Sequence, residues 1–240
     1  RLKILMSTGL PKIKLTQLLS KEDQKGLNLN ANDLVSRVTC DSREVEPGAV
    51  FVAVSGTKQD GHMFIDKAIE RGALLVVGEK DFSGSAPYVK VLDSRKFYSQ
   101  LSSAFFDQPS REIMTIGVTG TSGKTTTTYI LEAVFKAAGK KVGVIGTVES
   151  RLENKTWPSH HTTPDAFVLH QTIYEMKNLG CDVLIMEVSS HALLQKRVHD
   201  IDFDGALFTN LSEEHLDFHK DMNEYFEAKL ILFNELLKNN

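Results

Sequence analysis

Residues 120–126 read Gly120-Thr121-Ser122-Gly123-Lys124-Thr125-Thr126. Glycines let backbone N–H groups come close to phosphate oxygens. A helix starting behind them adds positive potential, and Lys124 supplies a point charge for β/γ oxygens. Thr125 offers its hydroxyl to magnesium, as the residue after such a lysine does. The usual leading glycine falls at Val118, with Gly117 one residue early. A tight strand-to-helix turn is the plainer reading of such a string. The setting, between the apolar run 113–118 and a long helical pattern, is the one nucleotide chemistry requires, so this loop is predicted to bind a nucleoside triphosphate.

Two further groups fit a triphosphate. The apolar run 181–186 ends on Glu187. In a nucleotide-binding sheet that strand end lies beside the phosphate loop, where a carboxylate can hold a hard cation. Farther on, His215, Asp217 and His219 alternate along the chain, but no thiolate joins them. They read as surface or capping residues rather than as a zinc site. Helix 221–237 is the oddest element, because Lys229 shares its apolar face with Tyr225, Phe226, Leu232, Phe233 and Leu236. Such a lysine either reaches out to water or sits with its charge disfavoured. In the second case the neutral amine is a nucleophile that can capture carbon dioxide as a carbamate.

Alternating strand and helix patterns must position these groups. Residues 37–105 carry apolar runs at 50–54 and 73–77 with a helical stretch at 62–70 between them. Asp107-Gln108-Pro109-Ser110 breaks the pattern, and a domain boundary is placed there, giving domains 1–108 and 109–240. Beyond it come a strand at 113–118, a helix with Ile130, Leu131, Val134, Phe135 and Ala138 on one face, and a strand at 141–147. A helix capped by Thr163 with Pro164 in its first position then runs to Gly180, and strands at 183–188 and 206–208 follow. The expected class is α/β: a small N-terminal α/β domain, then a P-loop-type, doubly wound, mostly parallel sheet with ligands at the carboxyl ends of its strands.

Composition excludes some classes. With 28 basic against 31 acidic residues, bulk charge implies neither nucleic acid nor an anionic membrane as partner. No apolar run is of transmembrane length, and Cys40 and Cys181 stand far apart, as in a reducing cytoplasm. The absent initiator Met and the abrupt end at Asn240 read as a fragment.

Four blocks together resemble the Mur ligase family: 39–43 with 47–53; the phosphate loop 119–126; Met186-Glu187-Val188-Ser189-Ser190-His191-Ala192-Leu193 leading to Gln195, Arg197 and Val198; and Phe208-Thr209-Asn210-Leu211 through His215-Leu216-Asp217. The phosphate loop is generic to the family. The Glu-Val-Ser-Ser-His block is similar to the branch that extends UDP-N-acetylmuramoyl-L-alanyl-D-glutamate by its third amino acid, meso-diaminopimelate or L-lysine.

The resemblance implies an N-terminal domain holding the uridine end, a central ATPase domain, and a C-terminal domain that is absent here. It assigns Cys40, Ser42, Thr57, Lys58 and Gln59 to the UDP moiety, and Thr162, Thr163, Ser189, Gln195 and Arg197 to the muramoyl-peptide. An anionic sugar-peptide suits an Arg fork and hydroxyl donors, whereas an isolated Arg more often makes a surface ion pair. His161 stands where the family often has Asn. Asn210 joins residues 120–126 as an ATP contact. Lys124, Glu187, His215 and Lys229 become the catalytic set, with magnesium on Thr125, Glu187, His215 and Lys229, the last as a carbamylated lysine. The implied protein is a cytoplasmic monomer that forms an amide through an acyl phosphate. A sibling ligase, a folate-polyglutamate ligase, or a module that only binds the UDP-muramoyl-peptide stay open as alternatives.

Overall fold

A computed structural model describes residues 10–238 apart from 28, 31, 57, 58, 159 and 160. The chain divides into two compact units, Arg1–Phe105 and Phe106–Asn240.

The first unit opens with β1 (Ile13–Lys14), α1 (Leu15–Leu18) and β2 (Leu34–Val35), the two strands pairing antiparallel. Next come β3 (Arg37–Thr39), β4 (Ala49–Val52), α2 (Ile65–Glu70), β5 (Leu75–Gly78), β6 (Tyr88–Lys90) and α3 (Ser94–Phe105). Strands β3 to β6 form a parallel sheet in chain order. Every residue of β4 and β5 is buried, as both faces of a parallel sheet require. Helix α2 starts later than the sequence pattern predicts. A 3-10 turn, Gly61–Phe64, precedes it, capped by Asp60, which accepts the His62 amide.

The second unit contains β7 (Met114–Thr119), α4 (Lys124–Ala137), β8 (Val142–Ile145), β9 (Ser150–Leu152) and β10 (Lys155–Trp157). It continues with α5 (Ala166–Asn178), β11 (Val183–Glu187), α6 (Ser190–Leu194), β12 (Gly205–Phe208) and α7 (Met222–Asn234). The sheet order is β10-β9-β8-β11-β7-β12, with β8, β11, β7 and β12 parallel and the β9–β10 hairpin antiparallel at one edge. Sequence reading missed the hairpin: β10 has no buried residue and hence no alternating apolar signal.

Two other expectations need correction. On α4 the sheet is met by Leu131 and Phe135, packed on Val118, Val142, Val144, Val183 and Ile185, while Ile130 and Val134 are exposed. The buried stripe includes Thr128 and Glu132 instead. Glu132 can occupy it because its carboxylate takes Arg151 at 2.5 Å and Lys136 at 2.8 Å. The cap of α5 is Asp165, whose carboxylate accepts the Phe167 amide at 3.0 Å, not Thr163. Asp221 does cap α7, accepting the Glu224 amide at 2.9 Å. No described helix is long and apolar enough to cross a membrane.

Candidate active site

Strand register gathers the site in the second unit. Glu187 stands opposite Val118 across β11–β7, and Phe208 opposite Thr119 across β12–β7. The segments after β7, β11 and β12 therefore leave the sheet at its carboxyl edge together.

The phosphate loop begins at Gly120, whose φ of +141° and close neighbour exclude a side chain: a Cβ would lie 1.9 Å from the Thr209 hydroxyl. Asn210 grips the loop from outside. Its Oδ1 accepts from the Ser122 amide at 3.0 Å, its Nδ2 donates to the Ser122 carbonyl at 3.1 Å, and its carbonyl accepts from the Thr121 amide at 2.9 Å. Thr121 Oγ1 lies 3.2 Å from the Tyr225 hydroxyl. The structure thus gives Asn210 a role in shaping the loop.

Inside the loop two lysines share one acceptor. Lys124 Nζ donates to the carbonyls of Gly120 and Thr121, both at 2.8 Å, and Lys229 Nζ donates to the same Gly120 carbonyl at 3.0 Å. Lys229 is 1% exposed and lies 4.3 Å above the Tyr225 ring. Burial, then the neighbouring Lys124, pushes its pKa down to about 8, against a pull upward from Glu214. Burial also lowers that of Lys124, opposed by Glu187 and Glu214. Of the two readings of Lys229, the desolvated amine describes this structure and the side chain reaching for water does not.

Glu187 is 1% exposed. It accepts from the Thr125 hydroxyl at 2.9 Å, the Thr147 hydroxyl at 2.9 Å and the Thr147 amide at 3.2 Å. A carboxylate is acceptor-only, and all three of these donors are neutral, while Lys124 acts on it through space without a described hydrogen bond. Thr147 was not singled out from sequence. The signal available was a Gly-Thr pair following an apolar strand, as in the phosphate loop itself. Gly146 makes room for the carboxylate, since a Cβ there would come within 2.4 Å of Glu187 Oε1. Gly146→Ala is accordingly expected to displace Glu187 and weaken magnesium-dependent ATP binding about tenfold in calorimetry, some 1.4 kcal/mol. Unchanged affinity would separate Glu187 from the cation.

The predicted peptide contacts also gather here. Thr163 Oγ1 donates to the Glu187 carbonyl at 3.0 Å and accepts from the Ser189 amide at 3.2 Å. Arg197 donates to the Thr163 carbonyl at 2.8 Å and to Gln195 Oε1 at 3.0 and 2.6 Å. Ser189 caps α6. Thr162 is half-buried, with its hydroxyl 3.1 Å from that of Thr147.

His215 stands apart from Glu187 in its contacts. It is exposed, with a left-handed φ of +59°, and its ring meets those of His191 at 5.1 Å and Tyr225 at 6.0 Å. His219 is 1% exposed, which corrects the reading of it as a surface residue. Among the described residues no group of three or more His, Cys, Asp or Glu is arranged to hold a metal. In the first unit Ser42 is buried, Cys40 is half-buried and Gln59 is exposed. Thr57 and Lys58 lie outside the described residues.

Comparison with known proteins places this geometry. Residues 118–240 match the family described as Mur ligase middle domain, and residues 34–106 match Mur ligase family, catalytic domain. A UDP-N-acetylmuramoyl-L-alanyl-D-glutamate–2,6-diaminopimelate ligase of Geobacillus thermodenitrificans is 46% identical over 224 residues, covering 93% of this chain and 46% of that protein. The Chlorobaculum tepidum protein of the same name is 47% identical over 209 residues, 86% of this chain and 41% of that protein. The chain thus spans about half the length of the curated relatives it matches. A solved structure of a ligase of that name superposes with a TM-score of 0.78 at 26% identity, over 95% of this chain and 46% of that one. The ADP complex of MurF from Thermotoga maritima gives a TM-score of 0.55 at 28% identity, over 81% and 42%.

Proposed function

The chain belongs to the Mur ligase family, and from that premise we propose that it supplies the uridine-nucleotide and ATP-binding units of an enzyme that adds the third amino acid to UDP-N-acetylmuramoyl-L-alanyl-D-glutamate. The observation that carries this reading is one edge of one sheet. There, two lysines crowd a phosphate-loop carbonyl, and a buried carboxylate whose described hydrogen-bond donors are all neutral lies one strand away. The peptide-block residues Thr163, Ser189 and Arg197 bond to one another directly behind it. The names of the relatives support diaminopimelate over L-lysine as the amino acid added.

In the proposed reaction the free carboxylate of the dipeptide's D-glutamate attacks the γ-phosphorus of ATP, ADP departs, and an acyl phosphate forms. The amine of the incoming amino acid then attacks the acyl carbon and phosphate leaves. An anion must approach a polyanion in the first step, so the protein's task is positioning and charge neutralisation. Lys124 is the cation nearest the loop backbone, and it would exchange its two carbonyl acceptors for phosphate oxygens. Arg197, with the hydroxyls of Thr163 and Ser189, would orient the muramoyl-peptide.

The residues present fit magnesium: Glu187 is a buried carboxylate whose described hydrogen-bond donors are all neutral, and the Thr125 hydroxyl touches it. Thr125 and Glu187 would hold one ion, and His215 with Lys229 as its carbamate a second. When bound, magnesium supplies positive charge to the phosphate oxygens. A monomer acting in the cytoplasm belongs to the same proposal.

Calorimetric titration tests the assignment, with UDP-muramoyl-L-alanine and the tripeptide form as comparators. Selective binding of the dipeptide form is expected, weakened at least about tenfold by Arg197→Ala, as for loss of a charge-assisted hydrogen bond. Equal binding of all three forms by the full-length protein would sink it.

A further inference from the structure

Residues 209–221 join β12 to α7 and carry His215. Among them His219 is the one buried side chain, while Leu211 and Leu216 remain exposed. The anchor of this connection is therefore polar. His219 Nε2 lies 2.9 Å from Ser190 Oγ, whereas Nδ1 is buried with no hydrogen-bond partner among the described residues. An apolar anchor would avoid the cost of that unpaired nitrogen. What it cannot give is direction, because burial is non-directional and a hydrogen bond is not.

The direction matters at both ends. Ser190 is the first residue of α6, next to Ser189, which caps that helix. On the other side the His219 amide donates to the His215 carbonyl at 2.9 Å, closing a turn that starts from the left-handed His215. Phe218, between them, stacks on His191 at 3.9 Å and 27°, a second grip on the same helix. The His219 ring also lies 4.9 Å from Tyr225, which bonds the phosphate-loop Thr121.

We propose that His219 is a positioning residue: its bond to Ser190 fixes the turn bearing His215 against the helix bearing the peptide contacts, holding the two loops in register. The inference rests on the proposed function for what each loop carries. Misplacing a reacting group by about 1 Å costs on the order of 100-fold in rate.

The test uses the full-length protein. His219→Leu and Ser190→Ala are each expected to lower kcat by about 10- to 100-fold, with KM for ATP and for the UDP-dipeptide within about threefold. Amide exchange across residues 215–219 should speed up at least about tenfold, because the turn loses its anchor. The double variant should be no worse than the poorer single one, since both remove the same bond. His219→Gln, which keeps an amide for Ser190, should recover most of kcat. Single effects that multiply in the double variant, or Ser190→Ala with unchanged kcat and exchange, would overturn the proposal. Ser190→Ala carries the test should His219→Leu fail to fold. Wild-type protein that makes no amide bond would instead sink the proposed function, and the exchange cycle would still decide the role of His219.

Discussion

Replacing Lys229 with Ala in the full-length protein is expected to cut the proposed ligase activity by about 10²–10³-fold, the cost of removing one preorganised charge-stabilising group. The expectation starts from burial. Lys229 is 1% exposed on a helix face otherwise occupied by Tyr225, Leu232 and Leu236, and its ammonium shares the Gly120 carbonyl with Lys124. Desolvation and the second cation both favour the neutral amine, and the pKa falls to about 8. Its neutral fraction is then roughly a tenth at pH 7 and nine tenths at pH 9.

The ammonium first gives one proton to solvent. The neutral amine then adds to carbon dioxide, an N–C bond forming from Nζ as a C=O π pair moves onto oxygen. A second proton leaves to solvent, so a cation becomes a carboxylate. The change would turn repulsion between Lys229 and Lys124 into attraction. Labelled bicarbonate should therefore give a carbamate carbon resonance that grows as pH rises through 8 and is absent from Lys229→Ala. Lys229→Met, which preserves volume, should be equally inactive, and short-chain carboxylic acids should restore part of the activity of Lys229→Ala. Undiminished activity in either variant would remove the carbamate from the mechanism.

Lys229 also shows what the sequence makes legible. Helical spacing alone puts it in an apolar stripe, and the glycine-lysine string between an apolar run and a helix defines the phosphate loop. Glu187 at the end of an apolar strand follows from the same local logic. The contacts that organise the site are not local. Asn210 reaches back 88 residues to Ser122, Tyr225 reaches 104 to Thr121, and Thr147 meets Glu187 across 40. Nothing in their spacing announces those bonds, because sheet register creates them.

Helix α4 went astray for another reason. Its apolar residues 130, 131, 134 and 135 span too wide an arc to rank by pattern, and a charged residue takes a buried place because Arg151 lies on the neighbouring hairpin strand. A stripe containing Glu132 reads as solvent-facing until its partner is known. The same holds for His219, whose burial depends on Ser190, 29 residues away.

His170 is expected to weaken the second unit in acid. It lies in α5 with 0% exposure, and among the described residues neither ring nitrogen meets a hydrogen-bond partner. On helical spacing it shares a face with Phe167 and Tyr174, both of which pack on Phe106. Burial alone pushes its pKa down to about 3, so the folded chain keeps it neutral. The unfolded chain titrates it near 6.5. Between those values the unfolded state binds more protons, and stability must fall as pH falls, by up to about 1.4 kcal/mol per pH unit. The full effect is roughly 4–5 kcal/mol, a large part of the stability of an ordinary domain.

His191 and His219, also lowered by burial, act in the same direction, so the slope of the wild-type curve alone does not isolate His170. The difference from His170→Leu does. Urea unfolding at pH 7 should find the variant at least as stable as wild type, since an apolar side chain suits a site that offers the imidazole no hydrogen bond. At pH 4.5 the variant should be more stable by about 2–3 kcal/mol. Parallel curves for the two proteins from pH 7 to 4.5 would mean that His170 gains a proton partner that burial does not provide.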